Sequence, residues 1–123
     1  MIFVAFGGFL GAIARFSISE WIKKQLNRPG FVATFFINWC GSFWFGFLIN
    51  QTYLKKQQSI KLLLTTGLLG GFTTFSTFSL EAYTLFEQQH LLQAFTYILL
   101  SGVGSVSLCF LGLLLARKGG RTA

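Results

Sequence analysis

Four apolar runs, each long enough to cross a lipid bilayer, take up almost the whole of this 123-residue chain. The first extends from Ile2 to Ile22, and Arg15 and Glu20 interrupt it near its far end. The second, Phe31 to Ile49, holds no charged residue and follows Pro29-Gly30, a pair that marks the start of a helix. At about 1.5 Å per residue it reaches about 28 Å, close to the thickness of the hydrocarbon core. The third runs from Leu62 to Phe86 and the fourth from Leu91 to Ala116. The expected spans are therefore about 2–22, 31–51, 62–86 and 91–116, with short connections at Lys23–Gly30, Thr52–Lys61 and Glu87–His90. The fold class this predicts is an all-α membrane protein, with residues 1–123 forming one transmembrane domain. A secretory leader is the competing reading of the first run, since Ala12-Ile13-Ala14 resembles a cleavage site, but no basic residue precedes the apolar stretch.

Charge supports the same reading. The net +7 sits in small clusters that flank the runs: Lys23, Lys24 and Arg28; Lys55, Lys56 and Lys61; Arg117, Lys118 and Arg121. Such clusters mark membrane loops, and no basic stripe interleaved with stacking aromatics points to nucleic acid. An even number of spans puts six of these cations opposite the other three, a small excess that favours cytoplasmic termini and is compatible with insertion both ways round. Glu20, Glu81 and Glu87 are the only side-chain carboxylates and His90 the only histidine, which leaves little for acid–base catalysis, so no enzyme is expected. Cys40 and Cys109 lie inside apolar runs without a partner motif and read as packing residues.

Polar groups within the spans must face protein or a wet path. The third run contains Gly67, Gly70, Gly71, Thr73, Thr74, Ser76, Thr77 and Ser79, three glycines and five hydroxyls in thirteen residues. Two readings stay open. Gly67 and Gly71, like Gly7 and Gly11, match GxxxG and suit close helix packing; alternatively the helix breaks near Gly70-Gly71, and its freed carbonyls and N–H groups bind ions. Phe75 and Phe78 share a helical face, and their electropositive ring edges suit an anion's path. Thr34, Asn38 and Ser42 form a stripe on the second span, and Ser101 and Ser105 form one on the fourth, with Tyr97 a turn earlier. Arg15 either snorkels or stands in a vestibule, and Glu81 either pairs or lines an entrance.

The run Gly70-Gly71-Phe72-Thr73-Thr74-Phe75-Ser76-Thr77-Phe78-Ser79, with Gly11-Ala12-Ile13-Ala14-Arg15-Phe16 and Asn38, resembles the Fluc/CrcB fluoride channels over essentially the whole chain. The resemblance implies a passive fluoride channel of the bacterial inner membrane that lowers cytoplasmic fluoride, built as an antiparallel, dual-topology homodimer. It also implies a structural sodium ion on the backbone carbonyls of Gly70 and Thr73. Phe75, Phe78, Asn38, Thr77, Ser101, Ser105 and Tyr97 would form the fluoride pathway, joined by Thr34 from the Asn38 stripe, with Arg15 and Glu81 at the vestibule. The helix-four assignments rest on spacing alone, and Ser107 competes with Ser101 and Ser105. The orientation of Trp39, Phe43, Trp44 and Phe47 stays open. The alternative function is a dual-topology small multidrug exporter, which needs a carboxylate at mid-membrane depth, and the middle of the first span has none. A purely structural membrane subunit leaves the aligned hydroxyls without a purpose.

Overall fold

In the computed structural model, which describes residues 1–119, the chain is helical nearly throughout, and no strand occurs among the described residues. Helix α1 (Ile2–Leu26) and α2 (Gly30–Ile49) are followed by two short helices, α3 (Thr52–Lys56) and α4 (Gln58–Leu62). A π-helical segment (Leu63–Leu69) continues into the three-residue α5 (Gly70–Phe72); then come α6 (Phe75–Glu87) and α7 (Leu91–Gly119). Of these, α1, α2 and α7 are long and apolar enough to cross a membrane. Large apolar side chains are exposed all along them, Phe9 and Trp21 on α1 and Leu92, Val106 and Phe110 on α7 among them. A helix that is apolar on its outer face as well as its inner one belongs in lipid.

The first helix extends four residues further than the expected span, so Lys23 and Lys24 fall in the last turn of α1, where cations oppose the helix dipole. Asn27 closes that helix in the left-handed conformation (φ 47°, ψ 45°). The connection expected at Thr52–Lys61 is mostly helix, supplied by α3 and α4. Between α6 and α7, Gln89 takes a positive φ, the Gln89 N–H reaches the Phe86 carbonyl and the His90 N–H reaches that of Leu85. Those two bonds tie off α6 before the chain turns back. Arg121 of the terminal basic cluster lies outside the described residues.

Glycine sets how closely the helices approach. Along α1, Gly7 and Gly11 lie against the backbone of the π segment and α5; a methyl group on Gly7 would stand 3.1 Å from the Gly67 Cα, and one on Gly71 3.0 Å from the Gly8 Cα. The two GxxxG pairs therefore pack on each other, as the packing reading expects. The same device joins α2 to α7, where Gly46 meets the Cys109 backbone and Gly112 that of Phe43 and Phe47. Trp39 covers Gly104 and donates its indole N–H to the Leu100 carbonyl at 3.0 Å, so this ring faces α7. Phe43 and Phe47 stack nearly parallel, 6.4 Å apart, and Trp44 meets both edge-on.

The third segment is broken, but not at the glycines. Gly70 is helical (φ −64°, ψ −36°), and the extended residues are Thr73 (φ −79°, ψ 155°) and Thr74 (φ −147°, ψ 124°). Gly71 is needed for its contact with Gly8, whereas β-branched threonines favour extended backbone. Thr74 also starts α6, its Oγ1 accepting the Thr77 N–H at 3.3 Å. What was read as one span over 62–86 is therefore a composite of α4, the π segment, α5 and α6 around a two-residue break.

Candidate functional site

A break in a helix packed among apolar helices leaves peptide groups that must find other partners. Here a side chain supplies them. The Asn38 amide donates to the Thr74 carbonyl at 3.0 Å and accepts the Thr74 N–H at 2.9 Å. In an unbroken helix the Thr74 N–H would serve the carbonyl of Gly70, and the Thr77 N–H that of Thr73. Both donors are turned to side chains instead, to Asn38 Oδ1 and Thr74 Oγ1. Gly70 and Thr73 are thus the two positions whose carbonyls lose their usual donor to a side chain. The Gly71 carbonyl next to them takes the Arg15 Nε–H at 3.3 Å. Arg15 is tied to the break, and the snorkelling alternative does not describe it.

The fluoride-pathway residues read from the sequence divide into two groups. Asn38, Phe75, Phe78, Ser101 and Ser105 line one open groove of about 350 Å³ between α2, α6 and α7, together with Ser42 and the two break threonines. The Ser101 hydroxyl is buried there and has no hydrogen-bond partner among the described residues. Ser107 lies elsewhere, on the outer face of α7 with Leu99 and Val103, so Ser101 and Ser105 are the serines of the groove. Phe75 and Phe78 have ring centroids 5.7 Å apart, and Phe75 is 79% exposed in the single chain.

Thr34 and Tyr97 belong to the second group, around Glu81. Thr34 donates to one Glu81 carboxylate oxygen at 3.1 Å, and Tyr97 donates to the other at 2.9 Å. No cation lies within salt-bridge distance of Glu81 among the described residues; the single ion pair there is Lys23–Glu20 at 3.1 Å. The Tyr97 ring also packs on Phe78, 5.1 Å between centroids, so this ring pair links the carboxylate cluster to the groove. Thr77 does not line the groove itself; its hydroxyl accepts from that of Thr74 at 3.1 Å and its N–H donates to the same hydroxyl, which ties it to the break. Arg15 and Glu81, paired as vestibule residues on the sequence, have separate partners.

Oxygen atoms of the kind a hard cation takes border a second space at the break. Gly70 and Thr73 line a further groove of about 360 Å³ with Ser42, Thr65 and Thr66, and the space beside Gly70 is open. The oxygens beside this groove are backbone carbonyls and the hydroxyls of Ser42, Thr65, Thr66 and Thr73, and among the described residues no group of three His, Cys, Asp or Glu side chains converges. The donor set fits sodium, whose ligands are neutral oxygens. Ser42, which borders both grooves, is the residue least emphasised by sequence reasoning; its place four residues after Asn38 on the same stripe is the signal for it.

Residues 2–113 match the family described as CrcB-like protein, camphor resistance. The chain is 44% identical over 110 residues to the fluoride-specific ion channel FluC 2 of Bacillus cereus, covering 89% of this chain and 91% of that protein. It is 43% identical over 118 residues to the fluoride-specific ion channel FluC of Agrobacterium fabrum, covering 94% of each. The FluC of Ruminiclostridium cellulolyticum is 41% identical over 122 residues, covering 97% of this chain and 90% of the relative. These names describe ion channels, not enzymes. With the family match spanning nearly its whole length, this chain belongs to the CrcB-like family.

Proposed function

We propose that this protein is a fluoride-selective channel that lets fluoride leave the cytoplasm passively across the bacterial inner membrane, as an antiparallel dual-topology homodimer whose subunits each cross four times. The observation that carries the reading is the groove, in which Ser101, Ser105, Asn38 and two phenylalanine rings converge on one wall-to-wall space. Fluoride is small and strongly hydrated, so its path must replace water with donors. Ser101 offers a buried hydroxyl with no other engagement among the described residues. Asn38 has two amide hydrogens and spends one on Thr74, which leaves the second for the groove. Ring edges of Phe75 and Phe78 add weak positive potential between these donors, enough to pass an anion without holding it.

The exposed Phe75 ring and the open side of Gly70 suit a second copy of the chain packed on this face. In that arrangement the Gly70 and Thr73 carbonyls of both subunits would hold one sodium ion, which neutralises the converging carbonyl dipoles and fixes the break. The exporter reading is not favoured: the named relatives are channels, and Glu81 holds two hydroxyls near the start of α2 rather than standing alone at mid-depth.

Cells deprived of their own fluoride export and supplied with this protein test the proposal. They should grow at fluoride concentrations that stop the parent cells and contain several-fold less fluoride. Equal fluoride content in the two strains would contradict it.

A further inference from the structure

Among the described residues, the end of the bundle where α2 stops and α7 finishes carries charged side chains of one sign only. Lys55, Lys56 and Lys61 lie on α3 and α4, and Arg117 and Lys118 on the last turn of α7. The three carboxylates are at the opposite end: Glu81 reaches Thr34 and the vicinity of Gly30 at the start of α2, Glu87 ends α6 beyond it, and Glu20 pairs with Lys23 beside the same glycine. α2 alone separates the two ends by about 30 Å, several Debye lengths at physiological salt. The cations therefore have no acidic side chain to balance them.

Three of them are gathered around one cavity. Lys55, Arg117 and Lys118 line a space of about 500 Å³ together with Asn50 and Thr52 and with the apolar Leu114 and Ala116. None of the three makes a side-chain hydrogen bond or ion pair with the described residues. The cavity lies where the apolar stretches of α2 and α7 run out, which is the depth of lipid head groups. A lining of three cations, an amide, a hydroxyl and two alkyl side chains matches the chemistry of a phosphodiester head group with the first carbons of its chains.

We infer that this cavity binds the phosphate of an anionic phospholipid head group, clamped by Lys55, Arg117 and Lys118. The site is independent of the ion pathway, which lies between α2, α6 and α7 nearer the middle of the bundle.

The test is thermal unfolding of the purified full-length protein in neutral detergent, titrated with short-chain phosphatidylglycerol, phosphatidylcholine or inorganic phosphate. Phosphatidylglycerol should raise the unfolding midpoint of the unaltered protein in a saturable way, and the other two additives should not. Lys55→Gln/Arg117→Gln/Lys118→Gln should weaken that response at least ten-fold, while Lys23→Gln/Lys24→Gln/Arg28→Gln, with the same loss of charge at the other end, should keep it. Lys55→Gln alone, on a short surface helix, should weaken it part-way and serves if the triple variant does not fold. The inference is overturned by an equal response to phosphatidylcholine, by a response to inorganic phosphate that matches the lipid, or by an unchanged response in the Lys55, Arg117 and Lys118 variants.

Discussion

Asn38 and Thr74, 36 residues apart, are joined amide to amide: the Asn38 side chain gives a hydrogen to the Thr74 carbonyl and takes one from the Thr74 N–H. One side chain thus does for the broken helix what a neighbouring strand would do for an extended peptide. It also diverts the N–H that would otherwise reach Gly70, which is how a break at Thr73–Thr74 frees a carbonyl three residues upstream.

Asn38→Leu leaves the Thr74 N–H without a partner and should cost on the order of 2 kcal/mol, an unsatisfied buried group being worth about 1–3 kcal/mol. Asn38→Asp keeps an acceptor for the Thr74 N–H but sets a carboxylate oxygen against the Thr74 carbonyl, so its loss should be at least as large. Thermal unfolding in detergent ranks the variants; equal stability of Asn38→Leu and the parent would show that the clamp is not needed.

The adjacent glycines should behave oppositely. Gly71→Ala drives a methyl group into the Gly8 backbone and should reduce the yield of folded protein sharply, whereas Gly70→Ala meets nothing within 4 Å in the single chain and should fold. If Gly70→Ala folds but is monomeric on size exclusion, the open side of Gly70 is the dimer contact. Loss of folded Gly70→Ala with intact Gly71→Ala would reverse the assignment.

This pair also shows where sequence reasoning stops. A Gly-Gly step has two physical uses, freedom of the backbone and close approach of another one, and spacing does not say which applies. Here Gly71 serves approach, and the extended residues are threonines three positions on. The π turn at 63–69 has no local signature, and the helices over Thr52–Lys61 lie in a polar stretch where loop was the natural reading. By contrast, Asn38, Phe75, Phe78, Ser101 and Ser105 share one groove, as the family resemblance implies; helical spacing puts Asn38 with Ser42 and Ser101 with Ser105 on common faces without saying what those faces meet. That Thr34 and Tyr97 turn to Glu81 depends on how α2, α6 and α7 pack, which no single helix encodes.

Phe75→Ile and Phe78→Ile should each lower fluoride flux while folded yield and dimerisation persist, because isoleucine fills volume without an electropositive edge. If the rings only pack, misfit should cost about 1–3 kcal/mol of stability and the folded protein should conduct normally. Flux and unfolding midpoint measured on the same samples separate the two; normal flux through the folded double variant would remove the ring edges from the mechanism.

Tyr97→Phe removes one of the two hydroxyls on Glu81 and should destabilise the protein by about 1.5–3 kcal/mol, the range for a bond to a charged group. Tyr97→Phe in a Glu81→Gln background should cost less, since the acceptor is then neutral. A double-mutant cycle on unfolding midpoints checks this, and a coupling energy near zero would mean that the two groups act independently.

The central claim is that the groove conducts fluoride and rejects larger anions. Liposomes carrying the purified protein and loaded with equal fluoride and chloride, opened to a potassium gradient with an ionophore and read with ion-selective electrodes, test it most directly. The account predicts that protein-containing vesicles release their fluoride within the response of the electrode and retain their chloride. Chloride leaving as fast as fluoride, or fluoride release no faster than from empty vesicles, would contradict it.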